Sequence, residues 1–322
     1  MKICIVGAGA TGGYLGFKLI NAGFDVSLVA RGAHLKAMKH SGLTVIENNK
    51  EISCFPKCSE SMSDLGKMDY IFITLKAYSI PGLVNEISTM FKENTAVITA
   101  YNGIPWWYFF NIEGSFKNYR IKCIDPNNIQ WNTITPERII GCVVYPATEI
   151  KEPGVIKHIE GNRFSLGEPK GMQTERISTI SKALVKAGIK APIRSNLREE
   201  IWTKLIGNLA FNPLSVITGK TLDILASEHE YRTIAYDAMK EANLIINQLG
   251  IKLKISIDQR IEGAAKVGAH KTSMLQDYEK GKELEIDSLV VSIKEIGDLL
   301  GIKTPTIDKI LYEVEKKISK NN

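Results

Sequence analysis

Two periods of apolar and polar positions run along the chain, and the change from one to the other divides it. Over residues 1–196, short apolar runs bounded by turn residues alternate with stretches of period near 3.6, as expected of strands interleaved with helices. From residue 197 onward the helical period dominates and no strand-like run exceeds a few residues. The expected fold class is therefore α/β: an N-terminal α/β domain over 1–196 and an all-helical C-terminal domain over 197–322. A length of 322 residues, too long for one ordinary core, gives the same division.

Within the first part, strands are expected at 2–6, 25–30, 42–46, 52–55, 69–75, 96–101, 139–145, 154–159 and 163–166, with a short last one near 191–194. Helices are expected at 14–22, closed by Gly23, and at 79–91 and 174–187. The stretch 105–136 has no clean period. It opens with the aromatic run WWYFF at 106–110, which reads either as buried core or as the cap of a pocket. In the helical part, LREEIWTKLIGNLAFNPL (197–214) sets Lys204, Asn208 and Asn212 four residues apart, in one row along a face, with Ile201, Leu205, Leu209 and Phe211 free to pack. Asn is a poor helix former, so the row reads as the wall of a polar pocket. The competing reading pairs Lys204 with Glu200 on a solvated face. Pro213 predicts that this helix ends or kinks at Asn212.

The chemistry starts at the first strand, which enters Gly7-Ala8-Gly9-Ala10-Thr11-Gly12 and then a helix. A G-x-G-x-x-G loop in that context is the dinucleotide fingerprint of a Rossmann domain. Gly7 makes the tight turn, Gly9 admits the pyrophosphate, and Gly12 lets helix and strand approach. The second strand ends in Ala30-Arg31-Gly32 rather than in an acid, so a 2′-phosphate is favoured and the expected cofactor is NADPH. Lys76, at the end of the strand 69–75, is a second candidate for that phosphate. Asn102-Gly103, at the end of the strand 96–101, falls beside the nicotinamide.

Composition narrows the partners. Hydrophobic residues at 44% and charged residues at 24% suit a globular enzyme, and the net charge of +6 comes from scattered lysines, which argues against nucleic acid or membrane binding. Neither a signal peptide nor an apolar run of about 20 residues is present, so a cytoplasmic location is expected. Five cysteines at irregular spacings (Cys4, Cys54, Cys58, Cys123, Cys142) make neither a disulfide framework nor a metal site.

The N-terminal G-x-G-x-x-G, Lys204-x3-Asn208-x3-Asn212-Pro213, and Ser273-Met-Leu-Gln-Asp277 followed by Glu285-Ile-Asp287 together resemble the ketopantoate reductases (2-dehydropantoate 2-reductases), 6-phosphogluconate dehydrogenase-like enzymes, over about residues 1–300. The resemblance implies Lys204 as general acid and Glu285 as the acid that holds the substrate hydroxyl. It implies Asn208, Asn212 and Ser273 as substrate-binding positions and Asn102 between nicotinamide and substrate. Arg31 and Lys76 take the 2′-phosphate. The implied reaction is NADPH-dependent reduction of 2-dehydropantoate to (R)-pantoate on the route to pantothenate and coenzyme A, in a cleft that hinge closure shields from water. Reduction of a different 2-oxo acid, or non-catalytic NADPH sensing, are the competing functions, and the same resemblance allows a monomer or a homodimer. Three departures from the family pattern bear on which 2-oxo acid is used: Tyr101 before Asn102 where many relatives carry glutamine, His270 where some carry a substrate-binding asparagine, and the long 105–136 stretch.

Overall fold

The β-rich runs KICIV and MDYIFI pair in parallel near the middle of a seven-stranded sheet, as β1 (Lys2–Val6) and β6 (Met68–Ile73). Both are apolar at nearly every position, as strands covered on both faces must be. The computed structural model describes residues 1–320, which form two compact units. The first comprises Met1–Tyr101, Trp106–Arg120 and Asp125–Leu197. The second runs from Arg198 onward and takes in Asn102–Pro105 and Ile121–Ile124.

In the first unit the strands of the main sheet are β2 (Asp25–Val29), β5 (Lys57–Ser59), β7 (Phe91–Thr99), β8 (Ile139–Val144) and β11 (Phe164–Gly167), in the order β11-β8-β7-β6-β1-β2-β5. Only β11 runs antiparallel to its neighbour. Val6 pairs with Val29 and with Ile73, and Ile73 with Thr99, so β1, β2, β6 and β7 end in one line. Ligands of open α/β sheets bind at that carboxyl edge. Helices α1 (Ala10–Asn21), α2 (Gly32–Ser41), α3 (Val84–Ser88), α4 (Ile129–Thr133) and α5 (Glu175–Lys186) complete the unit.

Four strands leave the main sheet: β3 (Leu43–Glu47), β4 (Lys50–Cys54), β9 (Ala147–Glu152) and β10 (Val155–Glu160) form a second sheet, ordered β4-β3-β10-β9. It packs on α1. Glu47 accepts hydrogen bonds from Tyr14 Oη and Lys18 Nζ, each at 3.0 Å, and the His158 ring stacks on Tyr14 at 4.7 Å. Burial pushes the Glu47 carboxyl up, but the bonds from Lys18 and Tyr14 and the charges of Lys18 and His158 outweigh it and hold the group below the usual carboxylate range. A depressed carboxyl stabilises the fold above its unfolded pKa and loses that contribution as pH falls through the folded one. The Tm advantage of wild type over Glu47→Gln, followed by calorimetry from pH 7 to about pH 3, should therefore shrink toward zero.

Two local expectations are corrected, and a third alternative is decided. The helix expected at 79–91 is two 3₁₀ turns, Ala77–Ser79 and Pro81–Leu83, then the short α3, and β7 already begins at Phe91. Pro81 and Gly82 interrupt the α-helical ladder there. The strand expected near 191–194 is reduced to single bridges, Arg163 to Lys190 and Leu166 to Ile193. The 105–136 stretch is not a bare loop: Trp106 to Phe110 are all at most 8% exposed, and Trp107 Nε1 donates to Thr99 Oγ1 at 2.9 Å. The rings of Trp106 and Phe110 meet Trp131 edge-on, so the run is core.

The second unit contains α6 (Leu197–Thr218), α7 (Leu222–Ser227), α8 (His229–Gln248), α9 (Ile257–Lys266), α10 (Ser273–Glu279), α11 (Ser292–Leu300) and α12 (Pro305–Ser319). A π-helical turn, Asp287–Val291, leads into α11. Ser256 and Gln259 form a capping box on α9, and the Glu241 carboxylate caps α12 through the amides of Thr306 and Ile307. Of the end or kink expected at Asn212, the end does not occur: α6 runs on through Pro213 to Thr218. Phe211, Leu214 and Val216 are each at most 3% exposed. Their burial is worth about 5–8 kcal/mol together, against ~3 kcal/mol for a helical proline. No helix among the described residues is long and apolar enough to cross a membrane.

Candidate active site

The glycine loop is held from both sides. The amides of Gly7 and Ala8 donate to Val29 O at 3.2 and 2.8 Å, and Thr74, one residue past β6, donates from Oγ1 to Gly7 O at 2.8 Å. Gly12 lies so close to this turn that a Cβ on it would come within 2.3 Å of Gly7 O and of Thr74 Oγ1. A Cβ on Gly9, the N-cap of α1, would meet nothing within 4 Å. No side chain caps α1 and its first turn holds no acid, so its N-terminus keeps the positive end of the helix dipole uncompensated by its own first turn. Open space over Gly9 and an uncapped helix N-terminus fit a dinucleotide pyrophosphate. Ala10 and Thr11 begin α1, and Thr11 Oγ1 lies 3.4 Å from Thr148 Oγ1.

Arg31 and Lys76 follow β2 and β6, the two strands that flank β1. Arg31 is exposed at the N-cap of α2, and Lys76 is half-buried. His34, in the first turn of α2, accepts the Gly154 amide on Nδ1 at 3.0 Å, and burial lowers its pKa, so the ring is held neutral.

In the second unit Lys204 Nζ donates to Asn102 Oδ1 at 2.7 Å. The sequence places these residues about a hundred positions apart and the fold joins them. Lys204 and Asn208 are half-buried on α6, and Asn212 is 7% exposed. The amide of Ile104 donates to Ser288 O at 3.0 Å, which seats Asn102–Pro105 on the π turn. Glu285, 6% exposed, sits at the head of that turn, and its carbonyl accepts the Leu289 amide. At the other end of the row, Ser215 Oγ donates to Asn212 O at 2.6 Å and pairs with Thr272 Oγ1 at 2.6 Å. Thr272 caps α10, whose first residue is Ser273. Ser273 itself is exposed and His270 half-buried.

Lys204 and Asn102 are thus in contact, the 102–105 stretch is seated on the turn that follows Glu285, and Asn212 is linked through Ser215 to Thr272, the N-cap before Ser273. Sequence reasoning did not find Thr74, His34, Ser288 or the Ser215–Thr272 pair. Only Thr74, a polar residue directly after an apolar strand, carries a local signal. No cluster of metal-binding side chains occurs among the described residues.

Two family models match the chain. One, described as ketopantoate reductase PanE/ApbA, covers residues 3–171, and the other, described as ketopantoate reductase PanE/ApbA C terminal, covers residues 196–317. A curated 2-dehydropantoate 2-reductase of Mesorhizobium japonicum is 46% identical over 317 residues, 98% of this chain and 97% of that protein. One from Pyrococcus horikoshii is 29% identical, over 95% of this chain and 93% of its own. A crystal structure from Ralstonia solanacearum MolK2, whose protein carries a provisional ketopantoate reductase assignment, superposes with a TM-score of 0.93 at 35% identity, over 99% of this chain and 98% of that one.

Proposed function

The chain belongs to the ketopantoate reductase family of NAD(P)-dependent oxidoreductases, and from that premise we propose that it reduces 2-dehydropantoate to (R)-pantoate with NADPH, Lys204 serving as general acid. The observation that carries this reading is the Lys204–Asn102 hydrogen bond, set beside the π turn Asp287–Val291 that follows Glu285.

The dinucleotide, when bound, supplies the hydride to the ketone carbon. Gly7, Ala8, Gly9, Ala10, Thr11 and Gly12 hold its pyrophosphate against the N-terminus of α1. The charge that develops on the carbonyl oxygen is met by the Lys204 ammonium, which passes it one proton, so ketone, hydride and proton give the alcohol. Asn102 Oδ1 accepts one N–H of that ammonium and so orients it. The Glu285 carboxylate accepts the substrate hydroxyl. Asn208, Asn212 and Ser273 hold the remaining polar groups of the 2-oxo acid without competing as proton donors. The same reading lets the enzyme act as a monomer or a homodimer.

Purified protein mixed with NADPH and either 2-dehydropantoate, pyruvate or 2-oxoisovalerate tests the assignment through the loss of nicotinamide absorbance. Turnover on 2-dehydropantoate well above the others is expected; rapid turnover of another acid in its place would reject it. NADPH specificity is assigned to Arg31 and Lys76. Arg31→Ala should lower the NADPH-over-NADH ratio of kcat/KM by ~10- to 100-fold, the loss of one charge-assisted bond of about 1.5–3 kcal/mol, with NADH kinetics nearly unchanged. An unaltered ratio would remove Arg31 from the site.

A further inference from the structure

The chain returns to the Glu285 turn twice, at two widely separated positions. Gly103 adopts φ +91°, and a Cβ there would lie 2.3 Å from Ser288 O and 2.6 Å from Ser288 Cβ, so backbone touches backbone at this point. Ser288, 1% exposed, offers its carbonyl both to the Ile104 amide and to Ser292 Oγ, each at 3.0 Å. The second return is at Ile121–Ile124. There the Glu295 carboxylate accepts the Lys122 amide on one oxygen at 2.8 Å and the Cys123 amide on the other at 3.1 Å. Cys123 Sγ rests 3.9 Å from Asp287 O, and burial, with Glu295 adding its charge, pushes that thiol far above its usual range.

Both anchors fall on one helical stretch, 288–295, that opens as a π turn two residues after Glu285. Single π turns inside helices are frequent at functional sites, and here the widened turn offers a carbonyl to a partner outside the helix. We propose that 288–295 is a clamp that fixes the Asn102 amide against Lys204, with Gly103 and Glu295 as its positioning residues for the proton transfer. The proposal rests on the reading of Lys204 as proton donor. Asn102 has no helix or strand of its own, so its position is set by the Gly103–Ser288 contact on one side and by the Lys204 bond on the other. Glu295 contributes through two charge-assisted bonds that hold the 121–124 strap on the same helix. A shift of about 1 Å in a reacting group costs up to ~10²-fold in rate, so a loosened clamp should be read in kcat.

The test compares Gly103→Ala, Glu295→Gln and Glu295→Ala in the full chain. The measurements are NADPH dissociation constants by fluorescence titration, kcat and KM for 2-dehydropantoate across pH, and crystal structures. Gly103→Ala should lose at least ~10-fold in kcat, shift the alkaline limb of its pH profile, bind NADPH within about 2-fold of wild type, and open the Lys204–Asn102 distance beyond ~3.5 Å. Glu295→Ala should follow in the same direction, and Glu295→Gln, which keeps one acceptor oxygen, less so. A merely structural role would lower Tm while leaving kcat per NADPH-binding site and its pH profile unmoved. That outcome, with Asn102 still bonded to Lys204, overturns the proposal. Should Gly103→Ala fail to fold, the two Glu295 variants decide by the same criteria. If wild type leaves 2-dehydropantoate unreduced, the substrate reading falls separately, and an intact Lys204–Asn102 bond in the variant crystals still overturns the clamp.

Discussion

Lys204→Ala is expected to lower kcat for 2-oxo acid reduction by ~10²- to 10⁴-fold, equivalent to about 2.7–5.4 kcal/mol of transition-state stabilisation. The ammonium acts only as charge develops on the oxygen, so the loss should appear equally in kcat and kcat/KM. Affinity for NADPH, assigned above to the glycine loop of the first unit, should stay within about two-fold. If Lys204 is the proton donor, any alkaline fall in wild-type kcat that it causes should be absent from the variant, and added methylamine should restore part of the rate. A rate within about five-fold of wild type would remove Lys204 from the general-acid role. Truncation also strips Asn102 Oδ1 of its donor at 2.7 Å. Lys204→Met, which keeps the volume and lacks the charge, separates lost chemistry from lost packing, and it should be as slow as alanine.

The features legible in the sequence are the local ones. The glycine loop follows a strand and opens a helix within twelve residues, so its geometry is written in adjacent positions. The Lys204 row needs only helical spacing, which α6 supplies without interruption. What periodicity cannot carry is contact between distant segments. Nothing near Asn102 announces that residues 102–105 join the helical unit and take Lys204 as partner, because that bond spans about a hundred residues. Ser288 and Glu295 act through main-chain groups of other segments, which leave no residue pattern. The second sheet escaped for a different reason. β3 and β10 read as strands, but strand pattern does not reveal which sheet a strand joins, and β9, with TEIKE half-buried or exposed, has too little apolar character to read at all. Pro213 does not end α6, because the side chains buried on either side of it outweigh its local penalty.

Gly12→Ala and Gly9→Ala, one methyl each in the same loop, should fail in different ways. The methyl on Gly12 would come 2.3 Å from Gly7 O, a backbone atom that Thr74 Oγ1 holds at 2.8 Å, so neither neighbour can give way cheaply. Helix α1 must lift from the turn, at a cost of about 1–3 kcal/mol in stability, a drop in Tm of roughly 2–10 °C. Because the lifted helix carries its N-terminal amides away from the pyrophosphate, NADPH affinity should fall by ~10²-fold as well. The methyl on Gly9 meets no protein atom within 4 Å and its backbone φ of −72° suits any residue, so Tm should hold. Yet that open space is where the pyrophosphate is expected, and NADPH binding should weaken by at least ~10-fold through direct overlap. Thermal denaturation with and without NADPH measures both quantities. If Gly9→Ala binds NADPH as wild type does, the pyrophosphate does not lie over Gly9, and the dinucleotide must approach the first unit by another route.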